Sequence, residues 1–246
     1  MLGLACPPAL LPYEIDLVVS AAKAEGFGIQ MHLAEIAHEM LEWWQIYGAS
    51  PFEVMEKLGL LDCHVLGGNV VFVEETDLQI LEEKPFHAST CPKNSSKMAL
   101  GMLDIPFLVH HDINVCLGTN EVSCNNRQDM LEEARFAALY HKMNRGHPAV
   151  LSGDTPLRLI TENAGRALNT GVGVLAPGRP ADLIILERRS PNMLPGFDPV
   201  ADIIYAASGG DVRTVMVAGR LVMEEGEIRV INEEALVDTL LEKADH

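Results

Sequence analysis

Apolar positions along the chain recur with two different periods. Residues 12–25 (PYEIDLVVSAAKAE) carry them at helical spacing and stop at Gly26, which predicts a helix. FGIQMHL (27–33) predicts a strand, 34–47 a helix stopped by Gly48, and 51–58 a further short helix. HVLGGNVVFV (64–73) predicts a buried strand with a glycine pair, and 74–83 a helix that opens on acidic residues, as the helix dipole favours. Strands are expected over 86–90 and 114–119, and an amphipathic helix over 129–143. Strands alternating with helices imply βα units on a parallel sheet.

The last third changes character. One helix is expected over 155–168, then a Gly/Pro turn leading into a strand within 171–186. Two short strands flank Gly219 within 212–222, another falls in 224–230, and a helix closes the pattern over 233–244. The expected division is an α/β part over 1–169 and a small β element with a C-terminal helix over 170–246. At about 30 residues per βα unit the first part holds roughly five or six units. A closed (β/α)8 barrel takes eight units and about 250 residues. The fold class is therefore α/β, as an open sheet or an incomplete barrel.

Composition narrows the partners. With 18 Lys plus Arg against 35 Asp plus Glu, the net charge is −17, which disfavours nucleic acid and anionic membrane surfaces. No apolar run reaches the length of a membrane span. The opening MLGLACPPALLPYEID lacks the basic start of a signal peptide. Five scattered cysteines without a CxxC pair fit reduced thiols, so a cytoplasmic setting is expected. G-x-G-x-x-G, P-loop and G-x-S-x-G motifs are all missing.

The segments MHLAE (31–35), GLLDCHVLGGNV (59–70), TCPKNSSKMALG (90–101), INVCLGTNEVSCNN (113–126), ITENAGRAL (160–168), LAPGRPADLIIL (175–186) and DPVADIIYAASGGDVRTVMVAGRLV (198–222) occur in that order. Together they resemble the amidohydrolase superfamily, in its branch of cyclic deaminases and chlorohydrolases that includes methylthioadenosine/S-adenosylhomocysteine deaminases. The resemblance implies a metal-bearing (β/α)8 barrel with a small β-sandwich built from both chain ends, matched here from about barrel strand four onward. It implies a divalent, zinc-like metal that makes hydroxide from water, and a carboxylate that moves protons to the leaving amine. By that resemblance His32 is the strand-five metal ligand and Glu35 the proton shuttle. Asn69 stands where the strand-six His belongs and Asn120 where the strand-eight Asp belongs, both as substrate-binding positions. Pro7 falls at or near a substrate-binding His, Thr90 replaces the strand-seven His, and no His-x-His pair occurs.

Other readings of the same residues stay open. His32 could be a core histidine bonded to a backbone carbonyl, and Glu35 a first-turn acid of the following helix. The rings of His110 and His111 should diverge, and His38 should face solvent. Cys91 and Cys116 read as small core residues, and Asn125 and Asn126 as caps of the helix that follows. Trp43 and Trp44 cannot both face one core. A zinc site needs three protein ligands and an open position, and one matched histidine falls short of that. The expectation is a degenerate amidohydrolase-like protein, related to hydrolytic deaminases, that takes a heterocyclic amine or nucleoside-like ligand. The alternative is an active deaminase completed by a second chain or by upstream residues. An open parallel sheet has bare edges, so a homo-oligomer or a complementing chain is expected.

Overall fold

Five short strands form one parallel sheet in the computed structural model, which describes residues 1–4 and 12–244. They are β1 (Leu2–Leu4), β2 (Ile29–His32), β3 (Val65–Gly68), β4 (Phe86–Thr90) and β5 (Asn114–Leu117), hydrogen-bonded in that order. Among the described residues β1 and β5 each pair on one side only, so the sheet does not close.

Helices fill the crossovers. Helix α1 (Pro12–Glu25) precedes β2; α2 (Ala37–Tyr47) and α3 (Pro51–Lys57) lie between β2 and β3; α4 (Glu75–Leu81) leads to β4. Between β4 and β5 run α5 (Pro92–Lys97) and α6 (Ile105–His110). After β5 come α7 (Val122–Asn125), α8 (Met130–Arg145), α9 (Thr155–Ile160) and α10 (Glu162–Leu168).

Alternation within the strands explains the layering. In β2, Ile29 and Met31 are buried while Gln30 and His32 are exposed. The register carries this across the sheet: Met31 lies beside Gly67, Gly67 beside Ala88 and Ala88 beside Val115. This helix-covered side forms the main core with Leu33, Trp43, Phe52 and Met55. A Cβ on Gly67 would fall 2.9 Å from the Phe86 ring and from Val70, so half of the predicted glycine pair is fixed by packing.

The other side of the sheet carries Gln30, Leu66 and His87 in register. Near the strands' N-terminal ends it is covered by α10, whose Ala167 packs on Leu66 and Cys116. His64 Nε2 bonds the Ala167 carbonyl at 2.7 Å, and the His64 and His87 rings lie 4.5 Å apart. Asn163 donates to the Val115 carbonyl and accepts, through its own carbonyl, from Asn114.

A second, antiparallel sheet follows: β6 (Leu183–Leu186), β7 (Val212–Val217), β8 (Arg220–Glu224) and β9 (Glu227–Ile228). Its two hairpins turn on Ala218-Gly219 and Glu225-Gly226, and all four residues have positive φ, the signature of a type I′ turn. Helix α11 (Pro199–Tyr205) lies between β6 and β7, and α12 (Glu233–Ala244) follows β9.

Several expectations need correction. The helix expected over 155–168 is two helices, broken at Thr161 (φ −124, ψ −93). The short helices α5, α6, α7 and α11 were not legible as helices. Helix α2 starts at Ala37 because Ala34 takes a left-handed conformation (φ 53). Asn125 is buried and does not cap α8, and Asn126 ends α7 in the left-handed region. Asp129 caps α8 instead, accepting from Leu131 and Glu132 N–H. Other expectations hold. Trp43 is buried while Trp44 is half exposed, and Cys91 and Cys116 are buried. His38 is exposed, and the His110 and His111 rings stand perpendicular. Cys6 and Pro7 lie outside the described residues.

Candidate active site

The chain assembles its polar side chains at the C-terminal ends of β2 to β5. Backbone bonds continue past the strands and fix these loops: Leu33 N–H donates to Gly68, Val70 to Ser89, and Gly118 to Thr90. The Ala34 carbonyl accepts from both Val71 and Phe72, which locks the loop after β2 against the loop after β3.

On that frame His32, Glu35 and Asn69 meet. His32 Nδ1 lies 2.8 Å from Glu35 Oε2. The Asn69 side-chain amide donates to Glu35 Oε1, and Asn69 Oδ1 accepts from Asn94 Nδ2 at 3.5 Å. Asn69 is buried and left-handed (φ 54), a conformation asparagine tolerates better than histidine does. The His32 side chain remains 54% exposed, so one edge of the ring faces the open end of the sheet. The two readings held open for these residues both fail: His32 bonds a carboxylate, and Glu35 precedes α2.

The pair tunes itself. The hydrogen bond that Glu35 accepts from His32 raises the His32 pKa against the opposing effect of burial, and the charges of Glu35, Glu39 and Glu121 add to it. The same bond from His32 lowers the Glu35 pKa.

Asn120 does not join this chain of bonds. Its Oδ1 accepts from the backbone N–H of Glu121 at 2.9 Å, and its carbonyl accepts from Gln128 at 3.2 Å. Thr90 is fully buried, and its hydroxyl has no hydrogen-bond partner among the described residues. Sequence reasoning missed Asn94, which the Pro-led α5 places beside Asn69, and Glu121, whose charge acts on His32.

These side chains do not fit a zinc-like ion on their own. Among the described residues no three His, Cys, Asp or Glu side chains converge as ligands. His32 offers one nitrogen, Nε2, the Asn69 amide donates, and the Asn120 oxygen is used locally, which leaves the set short of three ligands. A cavity of about 530 Å³ lies elsewhere, against the second sheet, lined by residues such as Ile160, Leu168, Leu183, Val215 and Met216. Its apolar lining offers few of the convergent polar groups that a chemical site needs.

Fold and site together define a class, and a family model agrees: the Amidohydrolase family matches residues 2–222, and the chain belongs to that family. Two relatives make the likeness more particular. A 5-methylthioadenosine/S-adenosylhomocysteine deaminase of Moorella thermoacetica is 36% identical over 238 residues, covering 96% of this chain and 56% of that protein. A 5'-deoxyadenosine deaminase of Methanosarcina mazei is 31% identical over 228 residues, covering 93% and 53%. The chain thus spans about half the length of the curated relatives it matches. Among solved structures, a zinc-bound adenosine deaminase from Xanthomonas campestris superposes with a TM-score of 0.94 at 24% identity, over 99% of this chain and 56% of that one. A zinc-bound atrazine chlorohydrolase from Arthrobacter aurescens superposes at 0.89 and 21%, over 96% and 53%. At these identities the superpositions establish the fold.

Proposed function

We propose that this chain is a hydrolytic-deaminase barrel half that binds a nucleoside-like heterocyclic amine and does not build the family's metal centre from its own residues. One observation carries the reading. Glu35 spends both carboxylate oxygens on His32 and Asn69, while Asn120 turns its oxygen onto its own loop. An amide at each of those two positions can position a ligand but can neither accept a proton nor supply an anionic metal ligand. In this reading a second lone pair of Glu35 accepts a hydrogen bond from a ligand amine, Asn69 steadies Glu35, and the exposed edge of His32 faces the ligand. Among the described residues β1 and β5 each pair on one side only, and a homo-oligomer, a complementing chain or upstream residues would cover those edges.

The test combines metal analysis of freshly purified protein with calorimetric binding and deamination assays on adenosine, 5-methylthioadenosine and 5'-deoxyadenosine. The expected result is nucleoside binding with substoichiometric metal and no ammonia release. Stoichiometric zinc accompanied by turnover would overturn the proposal. Turnover that appears only with a second polypeptide bearing a His-x-His segment would favour the completed-enzyme alternative.

A further inference from the structure

The loop that carries Glu35 poses a mechanical problem. After His32 the chain must leave β2, pass through the left-handed Ala34 and enter α2 three residues later. Ala34 is fully buried, so its N–H has no access to water. Both the Ala34 and the Glu35 N–H groups donate to one side chain, Glu39, at 2.9 Å on Oε1 and 2.8 Å on Oε2. Trp43 Nε1, one helical turn further on, also donates to Glu39 Oε1 at 3.3 Å. Glu39 is itself only 5% exposed.

An ordinary helix cap does not explain this arrangement. The N-cap of α2 is Ile36, which places Glu39 at the third helical position. An acid there commonly reaches back to the N-cap's own N–H. Glu39 instead takes the N–H groups of the two residues before the N-cap, which belong to the loop of the site.

We propose that Glu39 is the positioning residue of the site: its carboxylate grips the Ala34–Glu35 backbone and so aims the Glu35 side chain at His32 and Asn69. Both oxygens are needed, because the two N–H groups land on different ones. The buried Trp43 indole donates to Oε1 as well and so ties the carboxylate to its own helix. Glu39 acts through Glu35, and its consequence for ligand binding rests on the reading of Glu35 as the ligand-facing carboxylate.

Glu39→Gln tests this at constant shape, since it keeps one acceptor and turns an NH2 toward the other donor. Nuclear magnetic resonance is expected to show amide exchange at Ala34 or Glu35 about tenfold to a hundredfold faster, the worth of a lost buried hydrogen bond. The Asn69 side-chain amide resonances should move, and the adenosine Kd should rise about tenfold. Glu42→Gln, on the same helix but exposed and facing His38, should change none of these. A folded Glu39→Gln protein whose Asn69 amide resonances stay in place overturns the proposal, even if its melting temperature falls. Should the variant not fold, the wild-type protein decides: unprotected exchange at Ala34 and Glu35 overturns the proposal, and slow exchange supports it. Absence of adenosine binding by the wild-type protein would count against the functional reading alone, because the resonance measurements do not depend on it.

Discussion

Asn69 stands 2% exposed against the Glu35 carboxylate, and after His32 its amide is the second donor that favours the charged form of that carboxylate. Replacing that donor by a like charge reverses the effect. Asn69→Asp would set two carboxylates against each other and raise the pKa of one of them. Its folded-state pKa would then exceed the unfolded value, so the penalty is present above that raised pKa and disappears as the pH falls through it. The variant is expected to lose about 1–3 kcal/mol at pH 7 and to recover much of it near pH 4. Melting temperatures measured between pH 4 and 8 check this; a loss independent of pH would mean that the cost is steric. Of this candidate site, His32, Glu35 and Asn69 were legible only through the family resemblance carried by the ordered segments, MHLAE and GLLDCHVLGGNV among them. Glu39 was not, because an acid in a first helical turn reads as a complement to the helix dipole until its bonds are seen. Asn94 was hidden by a six-residue helix too short to show a period.

At the scale of elements, the strands were readable and the short helices were not. Only β3 is a continuous apolar run; β2 and β4 alternate buried with more exposed positions, and that period of two marks them. Helices α5, α6 and α7 span six, six and four residues, under two turns each, and apolar spacing cannot declare itself over so few. The break at Thr161 escaped for the opposite reason. TPLRLITENAGRAL keeps a helical pattern straight through it, while the contact made at the break comes from outside that segment: a Cβ on Gly173 would come within 2.3 Å of the Thr161 carbonyl. Helix α8 shows how one side chain can join elements. Asp129 Oδ1 caps α8 at Leu131 and Glu132, while Oδ2 accepts from Gly209 N–H at 2.8 Å, eighty residues on. Asp129→Ala is expected to cost about 2 kcal/mol, at the upper end for a lost N-cap because it also frees the Gly209 donor. Urea unfolding would measure it, and a cost near zero would show that water replaces the carboxylate.

For the molecule as a whole, the buried histidines set the acid limit. His141 is 1% exposed with neither ring nitrogen bonded among the described residues, and burial pushes its pKa down to about 4. His87 is likewise lowered to about 4, by burial and then by the neighbouring charges of His64 and Arg166. Both groups bind protons more readily unfolded than folded. Their contribution to stability is therefore fully present above the ordinary histidine pKa near 6.5, is lost as the pH falls, and levels off below about 4. The loss is on the order of 3 kcal/mol for a fully buried ring such as His141. His141→Leu should flatten the urea midpoint between pH 4 and 6.5 relative to wild type, and an unchanged slope would assign the acid sensitivity elsewhere.

The bond between His64 and the Ala167 carbonyl spans 103 residues. During synthesis the imidazole leaves the ribosome long before the carbonyl that will bind it exists. At about 5–20 residues per second that interval is roughly 5–20 s. For all of it Leu66, joined halfway by Cys116, waits on a sheet face without a roof, so the nascent chain is a natural client for a chaperone until α10 arrives.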